Sequence, residues 1–195
     1  MSISANHKRI VVGICGASGA ILGIELLKAM QQFPDWETHL VVSEGACKTI
    51  SCETSYSLEQ VAALASVRYS LRDFGAAIAS GTFKTEGMII VPCSMNTVAS
   101  VANGICDNLL LRAADVTLKE RRRLVLVARE SPLSPTHLRN LRQASSVGAI
   151  ILPPMLTFYN QPATIDDMVH HMVGKMLDVF ELELSGFKRW RGVIA

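Results

Sequence analysis

The run Lys8-Arg9-Ile10-Val11-Val12-Gly13-Ile14-Cys15-Gly16-Ala17-Ser18-Gly19-Ala20 leaves the chain few ways to fold. An apolar, β-branched stretch is cut by closely spaced small residues. An apolar helical pattern follows through Ile21, Leu22, Ile24, Leu26 and Leu27. That order predicts a buried strand, a tight turn and a helix. A turn without bulky side chains lets a ligand approach the backbone, and a helix N-terminus behind it favours an anion. A phosphate-bearing ligand at Gly16 to Ala20 is therefore expected, although an ordinary strand-to-helix turn also uses glycine.

Similar punctuation recurs along the chain. Strands are expected over 9–14, 38–42, 67–69, 88–91, 124–128 and 149–152, with Pro92 stopping the fourth and Pro153-Pro154 closing the last. Helices are expected over 19–32, 44–51, from Ser57 to about 65, 94–103, 108–119, from Ser134-Pro135 to about 146, and 165 to about 181 behind Thr164. Residues 73–86 read as a loop with one short helical turn. Short continuous apolar strands alternating with helices predict an α/β chain. Its architecture is a doubly wound, mostly parallel sheet of Rossmann-like or flavodoxin-like type in three α/β/α layers. The 195 residues suit one domain spanning 1–195.

Composition narrows the setting. Hydrophobic residues are 49% and charged residues 18%, yet no run is long and charge-free enough to span a membrane. The apolar excess points to subunit interfaces and a homo-oligomer. A net charge of +2 gives no footprint for nucleic acid. The first strand starts almost at once, leaving no signal-peptide pattern. The five cysteines are Cys15, Cys47, Cys52, Cys93 and Cys106, with no Cys-x-x-Cys pair. A reduced, cytoplasmic compartment is the expectation. No metal site is expected from these cysteines or from His7, His39, His137, His170 and His171.

Ligands of such sheets bind beyond the carboxyl ends of the strands. Those ends carry Gly16-Ala17-Ser18-Gly19, Ser43, Pro92-Cys93-Ser94-Met95-Asn96-Thr97, Arg129-Glu130-Ser131-Pro132 and Pro153 to Tyr159. Glycines at 13, 16 and 19 are not the dinucleotide G-x-G-x-x-G, and no G-x-x-x-x-G-K-[ST] exists. A mononucleotide such as FMN fits, its phosphate met by N–H groups and hydroxyls such as Ser94 and Thr97. Arg121, Arg122 and Arg123 read as a solvated helix end. Arg129 and Glu130 differ, because they leave a buried strand: the arginine can clamp an oxyanion, and the acid can pass a proton.

Gly16-Ala17-Ser18-Gly19-Ala20, Pro92-Cys93-Ser94, Arg112-Ala113-Ala114-Asp115, Leu118-Lys119-Glu120-Arg121-Arg122, Arg129-Glu130-Ser131-Pro132-Leu133 and Phe158-Tyr159-x-x-Pro162 together resemble the UbiX/Pad-type flavin prenyltransferases. The motifs stand in the family's order over nearly the whole chain. The resemblance implies that reduced FMN is a substrate, alkylated by dimethylallyl monophosphate. Flavin N5 joins the prenyl C1′, phosphate leaves, and C6 closes a fourth ring. The product serves a UbiD-type decarboxylase, and no metal is needed. The resemblance places FMN contacts at Gly16, Ala17, Ser18, Ser43, Ser94, Met95, Asn96, Thr97 and Arg129. It places prenyl-phosphate contacts at Lys119, Arg129, Tyr159 and Lys175, and proton handling at Glu53 and Glu130, with Ser18 beside the reactive flavin edge. A dodecamer is the implied assembly.

Some positions depart from the family pattern. Cys15 stands where relatives often have Ser or Thr and reads as a buried filler. Lys175 stands where many relatives have Arg, keeping charge but losing the fork. Trp190, between Arg189 and Arg191, resembles the family's C-terminal tail, or is one aromatic anchoring a loose end. His170 and His171 read as helix-surface or interface residues. Glu53, without the resemblance, is an ordinary surface acid. Two alternatives stand beside this reading. An FMN-dependent cysteine decarboxylase shares the fold, but its Pro-x-Met-Asn-x-x-Met-Trp loop is replaced here by Pro154-Met155-Leu156-Thr157-Phe158-Tyr159. A plain FMN carrier has no use for Lys119, Arg129, Tyr159 and Lys175.

Overall fold

The computed structural model describes residues 7–192. The first six and last three residues of the expected 1–195 domain lie outside the described residues. In chain order the elements are β1 (Lys8–Ile14), α1 (Ala20–Met30), β2 (Trp36–Val42), α2 (Glu44–Glu53), α3 (Leu58–Ala62), β3 (Val67–Tyr69), a 3-10 turn at Ala77–Ala79, β4 (Gly87–Cys93), α4 (Met95–Ala102), α5 (Leu109–Lys119), β5 (Arg123–Ala128), α6 (Pro135–Ser146), β6 (Ala149–Ile151) and α7 (Ile165–Asp178). No helix among the described residues is long and apolar enough to cross a membrane.

All six strands pair in parallel, in the order β3-β2-β1-β4-β5-β6. That is the Rossmann order, not the 2-1-3-4-5 of flavodoxins. The chain reverses direction across the sheet between β1 and β4, so the crevice for a ligand opens beyond Ile14 and Cys93.

Strand alternation builds two cores. Ile10, Val12, Ile14, Leu40, Val42, Ile89, Val91, Val125 and Val127 face α1 and α7. Val11, Val41, Met88, Ile90, Leu124 and Leu126 face α4, α5 and α6. Both faces are covered, which is why the strands read as continuous apolar runs and not as alternating ones.

The capped helices begin where their side chains dictate. Ser43, Ser94, Asn108, Ser134 and Thr164 each accept an N–H from the first turn of the following helix, and Ser57 with Gln60 closes a capping box. Several ends differ from expectation. Pro92 does not stop β4, which runs on to Cys93. The register with β5 shifts between Ile90 and Cys93, so proline's missing N–H falls at an irregularity where no ladder bond is lost. The Pro92 carbonyl still accepts from Cys15 N–H at 3.2 Å. Helix α7 stops at Asp178, and Glu181 takes a positive φ of 61° just beyond.

Arg122 is not a solvated helix end. Its guanidinium donates to the carbonyls of Gly81 (2.6 Å) and Phe83 (2.9 Å) and to the Thr85 hydroxyl (3.3 Å). It ties down the loop before β4, a long-range demand that no local charge pattern announces.

His39 is 3% exposed on β2, where its Nδ1 shares a hydrogen bond with the Tyr69 hydroxyl at 2.9 Å and its Nε2 is buried without a partner. Burial lowers its pKa, and Glu37, 3.7 Å away, offsets only part of that. The neutral form therefore supports the fold. Its contribution is present above the unfolded pKa of about 6.5 and is lost as pH falls through the lower folded value. Thermal unfolding followed by circular dichroism between about pH 8 and pH 5 should show wild type losing Tm faster than His39→Gln below about pH 6.5. Parallel slopes for the two proteins would remove His39 as the cause.

Candidate active site

The opening turn is shaped by two glycines with different jobs. A Cβ on Gly16 would sit 2.9 Å from the Gly45 backbone, so the turn and the start of α2 close on each other only without side chains. Gly19 has φ 103°, a left-handed conformation that glycine takes without steric cost. Gly16 and Ser18 are exposed at the crevice. Among the described residues, the N–H groups of Gly16, Ala17 and Ser18 donate to no protein acceptor. These free donors fit an anionic or carbonyl-rich ligand.

The N-terminus of α1, however, already holds an anion. Glu53 Oε2 accepts from Gly19 N–H at 2.8 Å and Ala20 N–H at 3.1 Å. Two of the N–H groups in the expected Gly16 to Ala20 phosphate turn are thus already taken. Glu53 is also no ordinary surface acid, although its side chain is exposed. Burial pushes its carboxyl upward. The Ser18 side chain, the two N–H groups and the Arg129 charge outweigh burial and hold it below the usual glutamate range. Ser18, Glu53 and Arg129 therefore share one end of the sheet, with the glutamate ionised between a hydroxyl and a cation.

Across the switch point, Ser94 caps α4 and bonds Thr97: the hydroxyl oxygens lie 3.1 Å apart, and Thr97 N–H donates to Ser94 Oγ at 3.3 Å. Cys15 Sγ meets Thr97 Oγ1 at 3.2 Å. Burial raises the Cys15 thiol above its usual pKa, with a partial offset from Thr97 and the Ser94 backbone. A protonated, 2% exposed sulfur is a filler and a strut for Thr97, as expected, and no nucleophile. Asn96 is exposed at the N-terminus of α4, Met95 is buried beside it, and Ser43 caps α2 on the opposite side of the Gly16 turn.

Beyond β5, Arg129 N–H donates to the Cys93 carbonyl at 3.0 Å, so its backbone is fixed while its side chain is exposed. Glu130 is exposed too, and its carboxylate accepts from Ser131 N–H at 3.1 Å. Beyond β6, the loop presents Tyr159. Its hydroxyl lies 3.2 Å from His171 Nε2, and its ring packs edge-on to Trp190 at 5.6 Å. Trp190 is thus anchored on a residue of the site.

His171 is 3% exposed, not a helix-surface residue. It belongs to one face of α7 formed by His171, Gly174, Lys175 and Asp178, at helical spacing. Phe187 lies on Gly174, where a Cβ would overlap the ring, and tilts against His171 at 5.0 Å. Arg189 stacks over Phe187 and pairs with Asp178 at 2.6 Å and Glu183 at 2.8 Å. Burial, then the charges of Lys175 and His170, hold the His171 imidazole below the ordinary histidine range. The signal for this cluster was Gly174: a mid-helix glycine costs about 1 kcal/mol against alanine and so wants a packing reason.

Within one chain, Lys119 is not gathered with these groups. It ends α5, just before β5 begins, whereas Arg129 follows the end of β5. The length of that strand puts them roughly 20 Å apart, at opposite ends of the strands. Lys119 there pairs with Glu120 beside Gly81. Among the described residues, no three His, Cys, Asp or Glu side chains are grouped as metal ligands.

The family model Flavoprotein matches residues 2–178. Flavin prenyltransferase LpdB of Lactiplantibacillus plantarum is 54% identical over 185 residues, covering 95% of this chain and 99% of that protein. The crystal structure of AnUbiX (PadA1) in complex with FMN and dimethylallyl pyrophosphate superposes with a TM-score of 0.94 at 49% identity, covering 96% of this chain and 100% of that one. A dodecameric FMN-dependent UbiX-like decarboxylase from Escherichia coli O157:H7 gives a TM-score of 0.93 at 51% identity, covering 94% and 100%. Motif order, sheet order, switch-point geometry and these likenesses agree: the chain belongs to the flavoprotein family and, within it, to the UbiX-type flavin prenyltransferases.

Proposed function

We propose that this protein transfers a dimethylallyl group from dimethylallyl monophosphate to reduced FMN, making prenylated FMN for a UbiD-type decarboxylase. One observation carries the reading: Ser18, an ionised Glu53 and Arg129 meet at the switch point of a sheet whose next loop presents Tyr159. A carrier that only holds FMN needs none of this. The free N–H groups of Gly16, Ala17 and Ser18, with Ser43, Ser94, Met95, Asn96, Thr97 and Arg129, suit the flavin nucleotide.

Reduced FMN, when bound, supplies the nucleophilic N5 and C6. The chain supplies position, charge and proton traffic. Arg129, Tyr159 and Lys175 take the phosphate as its bond to the prenyl carbon breaks, stabilising charge that develops only then. Glu53, with Oε2 held by two N–H groups, keeps its other oxygen as a base beside Ser18. Glu130, the exposed residue after Arg129, is the second candidate for proton transfer.

Lys119 joins the phosphate set from another copy of the chain. Its distance from Arg129 within one chain supports this, together with the apolar residues flanking Tyr159. Met155 is 69% exposed, Leu156 60% and Phe158 67%, a patch that suits burial by a neighbour. A dodecamer belongs to this reading, supported by the dodecameric relative. So does a cytoplasmic setting, supported by free thiols at all five cysteines.

Anaerobic incubation with reduced FMN and dimethylallyl monophosphate, followed by mass spectrometry of the extracted flavin, should show a gain of one prenyl unit; an unchanged flavin would defeat the transferase reading. Glu53→Gln should bind FMN normally yet lose about 100-fold in kcat. Because the wild-type carboxyl titrates below the usual glutamate range, wild-type kcat should hold at mildly acidic pH and fall only below that range. Lys119→Ala and Glu53→Gln chains, each severely impaired alone, should regain activity when co-expressed in mixed assemblies. Mixed assemblies that stay inactive would place Lys119 elsewhere.

A further inference from the structure

Tyr159 is the least supported member of the site. It is 44% exposed, on a loop with no regular structure, and its neighbours Met155, Leu156 and Phe158 are more exposed still. The backbone beneath it is held by Asn160, whose carbonyl accepts from Lys188 Nζ at 3.1 Å and whose Oδ1 accepts from Thr157 at 3.1 Å. Those bonds fix where the residue starts, not where its hydroxyl points. The phenol oxygen has one protein partner among the described residues, His171 Nε2 at 3.2 Å.

We propose that His171 is the positioning residue for Tyr159, donating from Nε2–H to the phenol oxygen and so turning the phenol's single proton outward to the substrate phosphate. The inference rests on the prenyl-phosphate role of Tyr159 proposed above. Proton counting carries it. A phenol has one O–H to give. If that proton went to His171, the oxygen facing an anionic phosphate would present only lone pairs and would repel it. If His171 donates, the phenol hydrogen is free for the phosphate, and each hydrogen bond strengthens the other.

The imidazole is well placed to hold that orientation. It is 3% exposed, leans on Phe187 at 5.0 Å and meets the Tyr159 ring edge-on at 5.5 Å. Phe187 in turn is locked by Gly174 beneath it and by Arg189 above it. The alignment therefore runs from the Arg189 ion pairs through Phe187 and His171 to one phenol proton. Lys175, one turn along α7 from His171, brings the neighbouring cation to the same place. A neutral imidazole beside that lysine avoids like-charge repulsion, in keeping with the lowered His171 pKa.

The test uses the full chain loaded with oxidised FMN, so that binding is read without turnover. Calorimetry with dimethylallyl monophosphate compares wild type, His171→Leu, His171→Gln, Tyr159→Phe and the Tyr159→Phe/His171→Leu double variant. His171→Leu should weaken binding about tenfold, and the double variant should be no weaker than Tyr159→Phe alone. His171→Gln, whose amide keeps a donor near Nε2, should bind within about threefold of wild type. FMN affinity, read by flavin fluorescence, should be the same throughout. Full additivity in the double variant, or a glutamine as weak as the leucine, would overturn the proposal. Should His171→Leu not fold, His171→Gln in both Tyr159 backgrounds decides: near-wild-type binding with Tyr159 supports it, and tenfold loss overturns it. Absence of binding by wild type would overturn the donor assignment and this inference together; binding that no His171 variant alters would overturn the inference alone.

Discussion

Two hydrogen bonds, from Gly19 N–H and Ala20 N–H to the Glu53 carboxylate, hold the centre of this molecule together. They satisfy the first donors of α1, whose macrodipole calls for an anion there. They fasten the end of α2 to the turn after β1, where Gly16 and Gly45 must already touch. They also set a charged carboxylate beside Ser18 and within reach of the Arg129 field. One side chain thus serves as helix cap, inter-element tie and candidate base. In many α/β sheets the first helix N-terminus is kept for a ligand phosphate. Here the chain's own acid takes that place, and a ligand is left with the donors of Gly16, Ala17 and Ser18.

Helix α7 organises the other half of the site in a different way. Its role is to present one face on which separate segments meet: the Tyr159 loop on His171, the Phe187 tail on Gly174, and Arg189 on Asp178. Its opposite residues Met172, Val173, Met176 and Leu177 bury against α1 and the sheet. A single helix therefore couples the core to the loop that presents the phenol. The C-terminal tail is part of that construction, since Trp190 packs on the Tyr159 ring.

Charge on this chain means different things at different places, and only geometry separates them. Arg122 and Arg129 are both arginines beside β5. Arg122, at the amino end, spends its guanidinium on three acceptors of a loop and is structural. Arg129, at the carboxyl end, has its backbone fixed and its side chain exposed toward Glu53. Lys119 stands at the amino edge with Arg122. Within one chain it stays away from Arg129, because a parallel sheet keeps the two ends of each strand apart whatever the loops do.

The sequence by itself determined the parts that depend on neighbours along the chain. Apolar runs closed by small residues predicted a doubly wound, mostly parallel sheet, because strands buried on both faces read as continuous apolar runs. Caps at Ser57, Ser134 and Thr164 predicted their helix starts, because capping is a contact within four residues. The carboxyl-end rule picks out the Gly16 turn, Ser94, Thr97 and Arg129 from the sequence alone. The tertiary structure decided everything that depends on residues far apart. It turned Glu53 from a surface acid into the cap of α1, drew His171 into the interior, carried β4 through Pro92, and set Lys119 across the sheet from Arg129. Each of those outcomes follows from a long-range contact, and a one-dimensional pattern carries no record of which distant N–H, ring or carbonyl a side chain will meet.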